Sequence, residues 1–440
     1  MAFVRSIGRW TMTALVINSI IGSGIFGVPG ELTRLLGRAS PLAMIFAALA
    51  MAVIMASIAE VASQFSEPGG PYHYVRAAFG RFLGLQVGWF HLFSVVSGVA
   101  AAADLFVDYL TTLLPWPLNA WERGLLMAVL IAIPAVANYV GVRSGANLSS
   151  VMTVAKLSPL ALLILFGVAH FAQHPQMIHP SEIAAPRMAD WLRAMVFGLF
   201  PFIGWEDSLI PAGEVKDPRR TIPFALGIGL LACAVIYALL QFITVAILGT
   251  NFTEQPLTDT ASVLIGRGGG AFIAIAVMVS TYGLISAAVL NAPRLAYSLA
   301  AEGDFPGLFA RLHPRFHTPA TAIALYAFTG WALAVSGTFL WAAALGAGSS
   351  MVYYVATSAA LMRLRKVRPN ADAFRVPFGP ALSIVAVGLA LALLTGLKRR
   401  EALLMCVTVL IATANWVWAR WHQLDVESKA KSGGSPVSPH

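Results

Sequence analysis

A chain of 440 residues that is 58% hydrophobic, 11% charged and has a mean hydropathy of +0.75 lies far from the roughly 25% charged content of soluble domains. This excludes a soluble globular protein and implies an all-α integral membrane protein. The net charge of +9 then reports orientation in the bilayer and not a nucleic-acid partner.

Apolar segments fall at 11–37, 40–65, 82–114, 122–140, 148–172, 190–214, 222–248, 270–300, 319–337, 338–363, 380–397 and 401–421. They predict about twelve spans, several longer than the ~20 residues a span needs and therefore tilted or broken. With both termini cytoplasmic, about two thirds of the 29 lysines and arginines fall on the inner side, as the positive-inside rule expects. Lys398-Arg399-Arg400 falls outside and opposes the rule, so the last hairpin is the least fixed part of the topology. The first apolar stretch runs past signal-peptide length without a small-residue cleavage site.

The first span contains Ile21-Gly22-Ser23-Gly24-Ile25-Phe26-Gly27, which places flexible residues near the bilayer midplane. Two readings stay open: a small-residue packing notch, or a broken helix whose freed N–H groups face a cavity and favour an anion such as a carboxylate. In the third span Asp104 and Asp108 stand four residues apart on one face; Asp108 is read as interfacial, while Asp104 is a candidate for selecting a cationic side chain. Lys156 sits in the fifth span, roughly 12 Å from its cytoplasmic end, where snorkelling is a stretch.

The sixth span carries Phe200-Pro201-Phe202-Ile203-Gly204-Trp205-Glu206-Asp207. Pro201 removes a backbone hydrogen bond, Gly204 weakens the turn, and each acid costs about 2.5 to 3.5 kcal/mol at a helix centre unless paired or wet. A second broken helix is expected there, with Glu206 either capping exposed backbone or coupling helix movements, and Asp207 a further candidate for selectivity. Breaks five spans apart suggest two five-helix repeats of inverted topology sharing a midplane site. The expected organisation is a cytoplasmic N-terminus at 1–10, repeats at 11–172 and 190–363, peripheral helices at 380–421 and a disordered cytoplasmic tail at 422–440. Cys233 and Cys406 read as packed thiols, and nine scattered histidines, with only His313 and His317 closely spaced, give no metal set.

These residues resemble the amino acid, polyamine and organocation transporter superfamily. The resemblance rests on the GSGIF run at 22–26; on Ala59-Glu60 followed by Glu67-Pro68-Gly69-Gly70-Pro71-Tyr72; on Ile203-Gly204-Trp205-Glu206 leading to the stretch from Gly213 to Pro223; and on Arg294 followed by Glu302-Gly303-Asp304-Phe305-Pro306. It implies the LeuT-like fold of ten core and two peripheral helices, with helices 1 and 6 broken. Carried over residue by residue, it implies that backbone N–H groups of Gly22, Ser23, Gly24 and Ile25 hold a substrate carboxylate. The carbonyls of Ile20, Phe200 and Ile203 would hold the ammonium, and Phe200 would cover the substrate. It also implies that Lys156 stands where sodium-coupled relatives bind a sodium ion.

The function expected is sodium-independent transport of L-amino acids, with small Ser286, Ala287 and Ala288 leaning towards neutral ones, across the inner cell membrane by alternating access. Exchange and proton linkage stay open. The alternatives are a cationic amino acid or polyamine antiporter and, in another class, a membrane nutrient receptor without turnover. No enzyme chemistry is expected, since no nucleophile–base pair, metal set or phosphate loop is found; no cofactor is expected either. The partners expected are the amino acid and the lipid bilayer, and the sequence is silent on an accessory subunit.

Overall fold

The structure, a computed structural model, describes residues 7–65, 70–141, 146–174, 186–209, 215–249, 255–369 and 373–431. The sequence readings at Glu67 to Gly69, at Gly213 and Glu214 and in the tail beyond 431 therefore lie outside the described residues.

The described chain is nearly all helical. It runs α1 (Arg9–Ile20), α2 (Gly24–Leu36), α3 (Ser40–Ser63), α4 (Gly70–Phe79), α5 (Arg81–Thr111), α6 (Ala120–Tyr139), α7 (Ala146–Gln173) and α8 (Met188–Leu199). It continues as α9 (Pro218–Leu248), α10 (Pro256–Ile265), α11 (Arg267–Ala301), α12 (Ala320–Val335), α13 (Phe339–Val367), α14 (Gly379–Leu394) and α15 (Arg399–Lys431). Among the described residues, eight helical segments are long and apolar enough to cross a membrane, and α12 and α14 are shorter apolar helices. The first and sixth spans are the interrupted ones. The first divides into α1 and α2 of 12 and 13 residues, and the sixth passes from α8 into short 3₁₀ turns at Phe200–Phe202 and Trp205–Leu209.

Two helices between spans were not anticipated. α4 and α10 have 10 residues each, too short to register as spans. α4 follows the second span and buries Tyr72, Tyr74 and Val75.

Spans five apart pack on one another: α2 on α8, α3 on α9, α5 on α11 and α6 on α12. α5 runs through the centre and also meets α13, α12, α4 and α15. Its buried face is made small by Ala100, Ala101, Ala102 and Ala103, which lets neighbouring helices approach.

Polar ties hold the loops at both ends. At the end where α1 begins, Arg365 grips buried Glu60 with two nitrogens at 2.6 and 2.7 Å. There too, fully buried Asp304 receives the hydroxyl of Tyr72 and the guanidinium of Arg81. Burial, with Asp304 beside it, pushes the Tyr72 hydroxyl up, so it stays a donor. At the opposite end Arg193 holds Glu401 at 2.7 and 2.9 Å, tying the start of α8 to the start of α15.

Candidate functional site

Between Ile20 and Gly24 the backbone leaves the helix: Ile21 is extended, and α2 starts three residues later. Helix ends leave orphan groups on both sides of such a gap. The carbonyl side is stitched by side chains. Lys156 Nζ donates to the carbonyls of Ile21 at 3.1 Å and Asn18 at 3.4 Å. An ammonium suits that position, because the last carbonyls of α1 are the negative end of a helix dipole. Tyr237, on α9, donates its hydroxyl towards the carbonyls of both Ile20 and Pro201, each at 3.3 Å.

The N–H side stays open. Among the described residues the N–H groups of Gly22, Ser23, Gly24 and Ile25 find no backbone acceptor, and the buried Ser23 hydroxyl also has no partner. They form the positive end of α2.

Gly24 has a second reason to be glycine. A Cβ there would lie 2.5 Å from the Cα of Pro201, so the two breaks meet backbone against backbone. Gly204 sits at φ +106, and a Cβ on it would come within 2.8 Å of the Ser19 carbonyl oxygen. The glycines thus serve a close crossing of spans 1 and 6.

The N–H groups at the sixth-span break find partners within it. Ile203 N–H donates to Phe200 O at 3.1 Å and Asp207 N–H to Gly204 O at 3.2 Å. Glu206 is buried and accepts from Gly204 N–H at 3.2 Å, from Tyr354 Oη at 3.0 Å and from the Tyr353 hydroxyl. It therefore caps exposed backbone and also joins the break to α13.

The breaks enclose a cavity of about 420 Å³. Ile20, Gly22, Ser23, Gly24, Lys156, Phe200, Ile203, Glu206 and Asp207 line it, joined by Ser94 and Gly98 of α5 and by Ser286, Ala287 and Ala288 of α11. The Phe200 ring in the cavity wall is edge-on to Phe339, the first residue of α13, at 5.9 Å.

Two expected site residues fall elsewhere. Ile25 is buried outside the cavity wall. Asp104, offered as a selectivity group, does not face the cavity: Arg123 donates to it at 2.8 Å, and it accepts the Phe339 N–H at 2.7 Å. It is a structural tie between α5, α6 and the start of α13, and Asp108 shares the same Arg123 at 2.6 Å. Tyr237, Tyr353, Tyr354 and His91 were missed, since a single buried aromatic or histidine carries no spacing signal. Among the described residues no group of three or more His, Cys, Asp or Glu could hold a metal ion.

The chain is 28% identical over 398 residues to the serine/threonine exchanger SteT of Bacillus subtilis, covering 87% of this chain and 89% of that protein. It is 24% identical to the methylthioribose transporter of the same organism, with 96% and 95% covered. It is 27% identical to an uncharacterized transporter of Mycobacterium tuberculosis, with 88% and 87% covered. The profile of the amino acid permease family matches residues 7–420, from just ahead of α1 into the last apolar helix, and the chain belongs to that family of multi-pass membrane transporters.

Proposed function

We propose that the protein carries neutral L-amino acids across the cell membrane, independently of sodium, by alternating access, with both termini cytoplasmic. The observation that carries this reading is the pairing, at one cavity, of unpartnered backbone N–H groups from Gly22 to Gly24 with the open carbonyl of Ile203. A carboxylate suits the first and an ammonium the second, so an α-amino acid zwitterion matches the charge order. Small Ser94, Gly98, Ser286 and Ala287 leave room for an uncharged side chain.

Sodium independence rests on Lys156. Its ammonium already occupies the carbonyls of Asn18 and Ile21, where a coupled cation would otherwise be needed. The named activity of the Bacillus subtilis serine/threonine exchanger supports small neutral substrates. A cationic amino acid is the second reading, favoured by the Asp207 carboxylate in the cavity wall.

The test is uptake of a labelled amino-acid panel by purified protein in liposomes, with and without sodium, internal substrate or a pH gradient. Neutral amino acids should enter at equal rates in sodium and choline, and their methyl esters should compete poorly. Esters that inhibit as well as the acids would remove the carboxylate assignment; preferential uptake of arginine or lysine would favour the second reading.

A further inference from the structure

His91, on α5, is 4% exposed, and among the described residues neither ring nitrogen has a hydrogen-bond partner. Such a group is costly to keep unless it serves a purpose. Its Nε2 stands 3.6 Å from Oδ1 of Asp207, just beyond hydrogen-bond reach, and the Asp207 side chain is 33% exposed in the cavity wall.

The neighbouring acid is differently placed. Both oxygens of Glu206 already accept hydrogen bonds, so a proton arriving there weakens the acceptor of the Tyr353 hydroxyl, the Tyr354 hydroxyl and the Gly204 N–H. A proton arriving at His91 displaces nothing. It turns both ring nitrogens into donors and draws Nε2 into a charge-assisted contact with Asp207.

We propose that His91 and Asp207 are a proton-binding pair that takes up one proton with each substrate, which makes the carrier proton-linked. This rests on the transport reading above. A hydronium ion in the cavity gives its proton to the Asp207 carboxylate. The proton then passes to His91 Nε2, leaving ionised Asp207 beside an imidazolium. The reverse transfer returns it to water once the cavity opens on the other side.

Charge explains why occlusion follows the proton. Without it the pair holds the unbalanced charge of Asp207; with it the pair is neutral as a whole, and a zwitterionic substrate adds no net charge. Shutting the cavity over an ion pair is less costly than shutting it over a lone carboxylate.

The groups facing the pair fit this assignment. The 3₁₀ turn of the sixth span contributes Glu206, and α13 contributes Tyr353, whose ring lies 5.3 Å from that of His91, with Tyr354 beside it. From α12 comes the buried Tyr326, within electrostatic reach of Asp207. Across the cavity stand Tyr282 of α11 and the Lys156 ammonium, which is committed to Asn18 and Ile21. Arg294 of α11 bonds its own helix at Leu290, Tyr72 and Arg76 of α4 are engaged with Asp304 and Glu302, and α15 meets α5 through neutral Thr413 at Gln86.

The experiment uses full-length protein in liposomes holding a trapped pH dye, with no internal amino acid and an external neutral amino acid added, while a parallel set preloaded with unlabelled amino acid measures counterflow. Wild type should acidify the lumen in proportion to substrate imported. His91→Gln and Asp207→Asn should lower acidification per substrate roughly tenfold or more, whatever counterflow rate survives, and should flatten the pH dependence of uptake. If His91→Gln does not fold, His91→Asn and Asp207→Asn carry the same comparison. Robust counterflow without acidification in wild type, or undiminished acidification in the variants, overturns the pair while leaving amino acid transport standing. Absence of any uptake or counterflow overturns both readings.

Discussion

The two broken spans interrupt their helices in opposite ways. In the first, the carbonyls are taken by Lys156 and Tyr237 while the N–H groups from Gly22 to Ile25 find no backbone acceptor. In the second, the N–H groups close on the break's own 3₁₀ turns and on Glu206, and the Ile203 carbonyl is what faces the cavity. Interruption alone therefore does not make a binding site. What matters is which orphan groups the rest of the protein leaves unanswered: the first break keeps donors in reserve, while the second spends its own on a rigid joint.

The largest effect should come where the two breaks touch. Gly24→Val places branched carbon against the backbone of Pro201, with no flexible side chain to give way. Overpacking at the upper end of about 1 to 3 kcal/mol is expected, with loss of both ligand binding and thermal stability. A variant that binds substrate with an unchanged melting temperature would show that the crossing is looser than described.

Lys156→Ala acts on the first break alone. Each carbonyl it abandons, at Asn18 and Ile21, is worth on the order of 1 to 3 kcal/mol where water does not replace the ammonium. Counterflow should fall at least about tenfold in protein that still reaches the membrane, since 1.4 kcal/mol is already a factor of ten. Normal counterflow, or wild-type uptake that needs a sodium gradient, would return Lys156 to a purely structural role.

Glu206→Gln tests the second break. A glutamine has one acceptor oxygen for three donors and turns an amide nitrogen towards a hydroxyl or the Gly204 N–H. Stability should drop by about 1 to 3 kcal/mol, read as a lower melting temperature, with substrate affinity much less affected. The opposite pattern, lost affinity at constant stability, would make Glu206 a ligand group and not a structural cap.

The smallest effect is expected from Phe200→Ala. The ring lines the cavity and leans on Phe339, so truncation should weaken occlusion and lower exchange a few-fold while removing an aromatic contact of about 0.5 to 1.5 kcal/mol. Efflux of preloaded label would measure the first effect and thermal unfolding the second.

The sequence carried both interruptions because Gly22-Ser23-Gly24 and Pro201 with Gly204 are local offences against helix rules. Lys156 was legible for the same reason, a charge where the bilayer penalises one. The side chains misjudged or missed are those with long-range partners. Asp104 appeared to be a lone membrane acid because Arg123 returns to it only after the next turn, and the Phe339 N–H arrives 235 positions later. Tyr237 is one tyrosine among ten until folding sets it beside two carbonyls, 217 and 36 residues away in the chain. α4 and α10 escaped because 10 residues lying between spans carry no span-length signal.

Tyr237 has a mechanical consequence. Its hydroxyl owns one hydrogen and faces two carbonyls at the same 3.3 Å, Ile20 on one broken span and Pro201 on the other. Neither bond can be made at full strength while the other competes. Were the spans to slide past each other, the hydrogen could follow whichever carbonyl stayed near, and the first increments of travel would forfeit only part of one bond. Such a joint would act as a slip bearing: it ties the two spans at rest and would add little friction to a movement between them.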